Sequence, residues 1–350
     1  MERRRGILAP FPVAVALVAL AAGPAAAATA AAAPASHHGA PRFFAGPESI
    51  ADDGTHVWVA GDGGGDAIVE LSASTGAIVK TLRGATYDFG NPAALTLYQG
   101  HLWVVDLDGW LTEISTSTGS FIRQVKGTKY GFMDPAAIAF SGSHGWVTND
   151  LGSSVTEISA STGAFVKIVK GASYHFLAPD GIAADGSHLW VGDNLGKSVT
   201  EMSAKTGALT KVIKGASFGF KVPSNLVDDG THVWVANDRG KSVTELSAST
   251  GSLVKYIASG SYSFNVPEAL TVAGGRVWVP NSANGSVTEM SASNHALIRV
   301  LFGGSYGFDV PVAVAADSSK VWVVNYGADT VTELQSSTGS MVQVIKLVSA

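Results

Sequence analysis

PDGIAADGSHLWVGDNLGKSVTEMSAKTGALTKVIKGASFGFKV runs from Pro179 to Val222, and six further copies of that pattern fill the chain. Each copy is anchored on a proline: Pro47, Pro92, Pro135, Pro179, Pro223, Pro267 and Pro311. Each carries one tryptophan at a fixed place, namely Trp58, Trp103, Trp146, Trp190, Trp234, Trp278 and Trp322. Only Trp110 stands outside the series. The anchor spacing matches a four-stranded propeller blade, whose repeats run to roughly 40–45 residues.

Within the quoted unit four short runs read as strands: 181–184, 188–192, 198–203 and 208–214. Each is rich in β-branched or aromatic residues and ends at Gly, Asn, Asp or Ser. None has helical length with a 3.6-residue period. A lone meander of this kind cannot bury both faces, whereas seven packed radially can. The expected fold is therefore all-β: a seven-bladed β-propeller of four-stranded antiparallel blades over residues 41–350. The first copy begins with its first strand and the last ends with its fourth. Closure is expected by packing of blade seven on blade one, with no strand exchanged.

Composition narrows the function classes. Hydrophobic residues make up 46% of the 350, enough for a large core, and charged residues only 15%. With a net charge of −5 and no basic block beyond Arg3-Arg4-Arg5, phosphate-neutralising nucleic-acid binding is disfavoured. The absence of cysteine removes disulfide and thiol chemistry. Residues 1–40 read as an export signal and an Ala-rich spacer: three arginines, an apolar run from Ile7 to Ala22, then small-residue cleavage sites. The expected location is secreted or cell-envelope associated, with no integral membrane span after signal removal.

Residues that recur in every copy are expected to build the ring. Aromatics precede each proline by three and usually five residues, as Tyr174 and Phe176 do, and fit packing beneath the connecting loop. Two residues before the tryptophan stand His56, His101, His144, His188 and His232, then Arg276 and Lys320. Equivalent positions on neighbouring blades lie too far apart to share a metal, so these read as a solvated bottom ring. Glu70, Glu113, Glu157, Glu201, Glu245, Glu289 and Glu333 each precede a basic residue by ten positions, with Gln343 replacing the base in the last copy. That spacing predicts a cross-strand ion-pair ladder worth a few tenths to about 1 kcal/mol per pair. Three residues after the tryptophan come Asp106, Asn149, Asp193, Asn237, Asn281 and Asn325, expected to close turns, with Gly61 in the first copy.

Trp146-Val147-Thr148-Asn149 resembles the motif that names the YVTN propeller repeat. Pro179-Asp180-Gly181-Ile182 through Gly186 is similar to the opening of NHL and streptogramin-lyase-like repeats. The resemblance spans about 47–347. It implies that the first strand of each blade lines a central channel and that the loops from fourth to first and second to third strand form a top, ligand-binding face.

Function is sought where the copies differ. After the anchor proline the copies offer Glu48, Asp180, Asn225 and Glu268 on one part of the rim, against small or apolar residues elsewhere. His175 and Trp110 depart from the pattern in nearby loops. A polar half-rim facing an apolar one suits an amphipathic ligand or a divalent cation, Ca or Mg, held by Asp180 and Glu268; ordinary drift at a wet channel mouth gives the same pattern. No cofactor is required by any motif, and no catalytic residue is assigned. The leading expectation is a secreted scaffold that binds a protein, glycan or small molecule on the top face. A metal-assisted lyase or hydrolase of the streptogramin-lyase-like type is the alternative, and a structural envelope module the third.

Overall fold

In the fourth unit the strands run Pro179–Ala184, His188–Asp193, Ser198–Ser203 and Leu209–Lys214, within two residues of the sequence reading. The structure, a computed structural model, describes residues 44–61 and 66–347. It is a seven-bladed β-propeller: seven sheets, each of four consecutive antiparallel strands, with no strand exchanged between sheets among the described residues. The expected export segment and spacer at 1–40, and Arg42, lie outside the described residues. In blade six the first strand is only Thr271–Ala273, with Pro267 joined by a single bridge to Asn281.

The blades adhere through the tryptophan series. All seven are 0–1% exposed, and each packs on the blade that follows. Trp190 of blade four shares one apolar cluster with Leu226, Val233 and Leu246 of blade five. On the order of 200 Å² leaves water at each such ring, roughly 4–5 kcal/mol apiece at about 25 cal/mol per Å². The loop aromatics behave as expected: Tyr174 stacks on Phe176 at 5.4 Å, and its hydroxyl donates to Gly207 O of the next blade.

The glutamates are paired in register with their bases, Glu70 with Lys80 through Glu289 with Arg299. They are also buried, at 0–3% exposure, which an outer ladder would not be. The supposedly solvated bottom ring explains this. Its residues are the second polar partner, an imidazole in most blades and a cation at Arg276 and Lys320: His144 Nδ1 lies 2.6 Å and Lys167 Nζ 3.1 Å from the two oxygens of Glu157. His56, His101, His188, Arg276 and Lys320 pair in the same way with Glu70, Glu113, Glu201, Glu289 and Glu333. At Glu113 and Glu289 burial outweighs the cations and holds the carboxyl above its ordinary range. Blade five departs. Lys255 is opposite Glu245 in register, but His295 of blade six pairs with that carboxylate together with His232.

The same groups stitch the ring shut. Lys80, Lys167 and Lys211 each donate to a threonine carbonyl in the following blade's hairpin: Thr118, Thr206 and Thr250. At the seam Gln343 donates to Thr75 O at 2.9 Å and Lys320 to Ala73 O. Asp329 holds both ends of the described ring, accepting from Gly46 N–H through Oδ1 and from Leu347 N–H through its carbonyl.

The Asp/Asn series acts from its side chain, deeper than a turn closure. Asn149 Nδ2 donates to Thr156 Oγ1 (3.0 Å), which donates to Tyr130 O (2.8 Å). Gly61 replaces the amide in blade one because a Cβ there meets the Phe44 ring at 2.6 Å. In blade four the link is Asp193. Thr200 Oγ1 lies 3.0 Å from its Oδ2 and already donates its one proton to Tyr174 O. Asp193 therefore fits as the neutral acid, donating as asparagine does. Burial, partly offset by Thr200, Leu177 N–H and Ser198, pushes its pKa up to about 8. An acid raised this way contributes stability that is full below its unfolded value near 3.8 and is lost as pH rises toward 8. Asp193→Asn is expected to remove that loss: denaturant melts at pH 8.5 should show a gain of about 1 kcal/mol or more, with little change at pH 4.

Candidate functional site

The channel mouth is built from two residues per blade: the one after the anchor proline and the one after the Asp/Asn latch. In blade four these are Asp180 and Asn194, joined by Asn194 Nδ2 to Asp180 Oδ2 at 2.8 Å. In blade six they are Glu268 and Ser282, whose hydroxyl donates to Glu268 Oε1 at 2.7 Å. Blade five supplies Ser224 and Asp238, and blade three Ala136 and Asp150. Blades two and seven supply apolar or aromatic groups, Ala93 with Leu107 and Val312 with Tyr326.

Three of the carboxylates feel one another. Burial raises Glu268 to about 7; Ser282 pulls it down in part, and Asp238 and Asp180 push it up. Burial also raises Asp238, offset by Arg239 and reinforced by Asp180. Glu268 sits in the short stretch of blade six that leaves the sheet ladder, between Pro267 and Thr271.

The other expected site residues separate from this group. Asn225 Oδ1 accepts from Leu270 N–H of blade six at 3.2 Å, so it ties two inner strands together. Glu48 belongs to blade one's inner strand, Pro47–Asp52. His175 is a left-handed residue (φ 60°) whose Nδ1 lies 3.3 Å from Ser198 Oγ, on the loop side of blade four. Trp110 opens the third strand of blade two, Trp110–Ser115, with its ring over Gly90, where a Cβ would meet it at 2.3 Å; Lys126 Nζ lies 5.7 Å from the ring centroid. Its place is that of a lid on its own blade's loop. Among the described residues no group of three or more His, Asp or Glu is arranged to hold a metal ion. No helix among them is long and apolar enough to cross a membrane.

Two features escaped the sequence reading. Asp238 lies four residues after Trp234, at a position the copies vary freely. The second is a set of exposed apolar loop tips: Met133 and Leu151 on blade three, Leu177 and Leu195 on blade four, all 50–60% exposed. They occupy the same two positions, two before the proline and five after the tryptophan, where blade five has Lys221 and Arg239 and blade seven Asp309 and Gly327. Leu195 N–H donates to Leu177 O, so the two tips of blade four sit side by side, beside Asp180 and Asn194. Aligning the seven copies on those two offsets would have shown the pair.

Solved structures of similar fold include virginiamycin B lyase from Staphylococcus aureus, 17% identical, with 81% of this chain matched to 92% of that one at a TM-score of 0.66. A streptogramin B lyase structure matches over the same shares at 16% identity and a TM-score of 0.68. The computationally designed protein Ika8 matches over 87% of both chains at 16% identity and a TM-score of 0.63. These likenesses show the propeller fold. No protein-family profile matches the chain, and no curated protein matches it in sequence.

The elevated Glu268 carries its own pH signature. Its contribution to stability is full below the unfolded value near 4.5 and is lost as pH climbs to about 7. Glu268→Gln is expected to flatten the fall in melting temperature across that window. An unchanged slope between pH 4.5 and 7 contradicts the assignment.

Proposed function

We propose that this protein is an exported binding module that takes its ligand on the top face of the propeller. The contact surface is the apolar loop tips of blades three and four, together with the carboxylates of the adjoining channel mouth. The observation that carries the reading is the confinement of four half-exposed apolar tips to two neighbouring blades. Elsewhere the same positions are small, polar or charged. A monomeric soluble protein rarely spends exposed apolar surface in one place without a partner for it. The repeated residues support the reading from the other side, because their side chains are already engaged in holding the ring. The ligand class is a protein, glycan or small molecule with an apolar face next to a polar or cationic group. Export rests on the N-terminal pattern of arginines, apolar run and small residues.

A lyase or hydrolase is the second reading. One feature favours it: burial raises the Glu268 pKa to about 7, the range in which a general acid–base group works best. A metal-assisted version needs ligands beyond Asp180 and Glu268.

Glycan and peptide arrays probed with the full chain separate these readings. A captured ligand is expected to be lost by Leu177→Ser/Leu195→Ser, to weaken about tenfold in Asp180→Asn/Glu268→Gln, and to be kept by the bottom-face variant Asp185→Asn. A ligand retained by both top-face variants overturns the assignment. Turnover of a captured ligand that vanishes in Glu268→Gln moves the protein to the second reading.

A further inference from the structure

The fourth strand of each blade is an open edge on the rim of the ring, because every sheet ends there. Three residues along that edge share its outward row: those one before, one after and three after the residue facing the buried glutamate, the last standing one past the strand's end in blades one and three. In five blades the row ends in a base: Arg83, Lys126, Lys170, Lys214 or Lys346. Charged residues at such a place, lysine above all, keep edge strands from pairing with other chains. Blades five and six have lost the charge, ending in Ala258 and Phe302.

Blade six carries this furthest. Its fourth strand is Leu297–Phe302, and its outward row is Ile298, Val300 and Phe302, with Ile298 40% and Phe302 51% exposed. No described strand remains to cover it, since all belong to complete four-stranded blades. The row is self-complementary. In an antiparallel pairing about a two-fold axis at Val300, Ile298 meets the partner's Phe302, Val300 meets the partner's Val300, and no charge lies on this row; Arg299, on the other face, stays paired with Glu289. On the five edges that end in a base the same operation brings that base into the pair, as Val79 against Arg83 or Val342 against Lys346; blade five's row, Val254, Tyr256 and Ala258, is also uncharged but ends in the small alanine. An identical strand meets this row with its own pattern, which is the requirement of an isologous contact.

We propose that the fourth strand of blade six, Leu297–Phe302, is a self-association edge through which two copies of this chain pair antiparallel about Val300. The two propellers then lie side by side, and both top faces stay open. The inference does not depend on the ligand reading above.

The absence of cysteine makes the test direct. Residues facing each other across an antiparallel pair have Cα atoms about 4.5–5.5 Å apart, within disulfide reach. Val300→Cys is expected to give a covalent dimer under mild oxidation, while Thr81→Cys, at the same place on blade one, stays monomeric. Light scattering of the wild-type chain should show twice the 35.8 kDa monomer at high micromolar concentration. Phe302→Lys, which installs the residue blade seven carries there, should raise the dissociation constant by about tenfold or more with an unchanged melting temperature. A wild-type chain that stays monomeric overturns the proposal. So does a dimer that survives Phe302→Lys, or equal cross-linking by both cysteine variants. Should Val300→Cys fail to fold, light scattering of the other two proteins decides alone.

Discussion

Each blade hides one carboxylate on its third strand, and the ring is organised around keeping it neutralised. A buried glutamate is costly unless charges and hydrogen bonds replace the water it lost. Here two neighbouring strands supply them. The second strand offers the residue two before the tryptophan, and the fourth offers the base ten after the glutamate. The fourth-strand lysines of blades one, three and four are then used twice, since the ammonium that meets the glutamate also reaches a carbonyl of the next blade. Charge neutralisation within one blade thereby fixes the spacing to its neighbour. Blade five shows how strict the requirement is. Lys255 does not reach Glu245, and the following blade's hairpin has His295 at a left-handed position (φ 63°) that is glycine in the others, with its imidazole on the stranded carboxylate.

This division of labour separates structure from function on the same repeat. Buried charges and tryptophans recur in every blade and the Asp/Asn latch in six of the seven, so variation there is largely confined to exchanges that keep the bonds. The loops of the top face have no such duty, and the copies diverge there in blocks: apolar tips on blades three and four, basic ones on blade five, carboxylates at the mouth. The rim shows a similar freedom, where loss of the terminal base on blades five and six leaves an unguarded edge.

Much of the fold was legible in the chain. Period, strand order, closure and the glutamate–base register all follow from spacings that a reader can count. What spacing could not show was depth. The ten-residue offset pairs Glu157 with Lys167 whether the pair is wet or dry, and only packing against the next blade reveals it as dry. His144 was misjudged for the same reason, because its role depends on the register between second and third strands, which places it diagonally from Glu157. The candidate site was less legible. Asp180 and Glu268 are near enough to couple electrostatically, but Asn225 is tied to Leu270 N–H, and Trp110 covers Gly90, a glycine whose purpose appears only when the ring above it is seen. Met133, Leu151, Leu177 and Leu195 look like ordinary strand-flanking hydrophobics until their exposure is known.

The account stands on the glutamates being buried ions that need both partners, and a matched pair of variants tests this inside one molecule. Lys167→Met strands Glu157 with His144 alone, whereas Asp88→Asn breaks the surface pair with Lys126, whose side chains are 55% and 62% exposed. Denaturant unfolding at pH 7 is predicted to show a loss of about 1–3 kcal/mol for the first and under about 0.5 kcal/mol for the second. Two equally small losses would contradict the account, and the glutamates would then be an ordinary surface ladder.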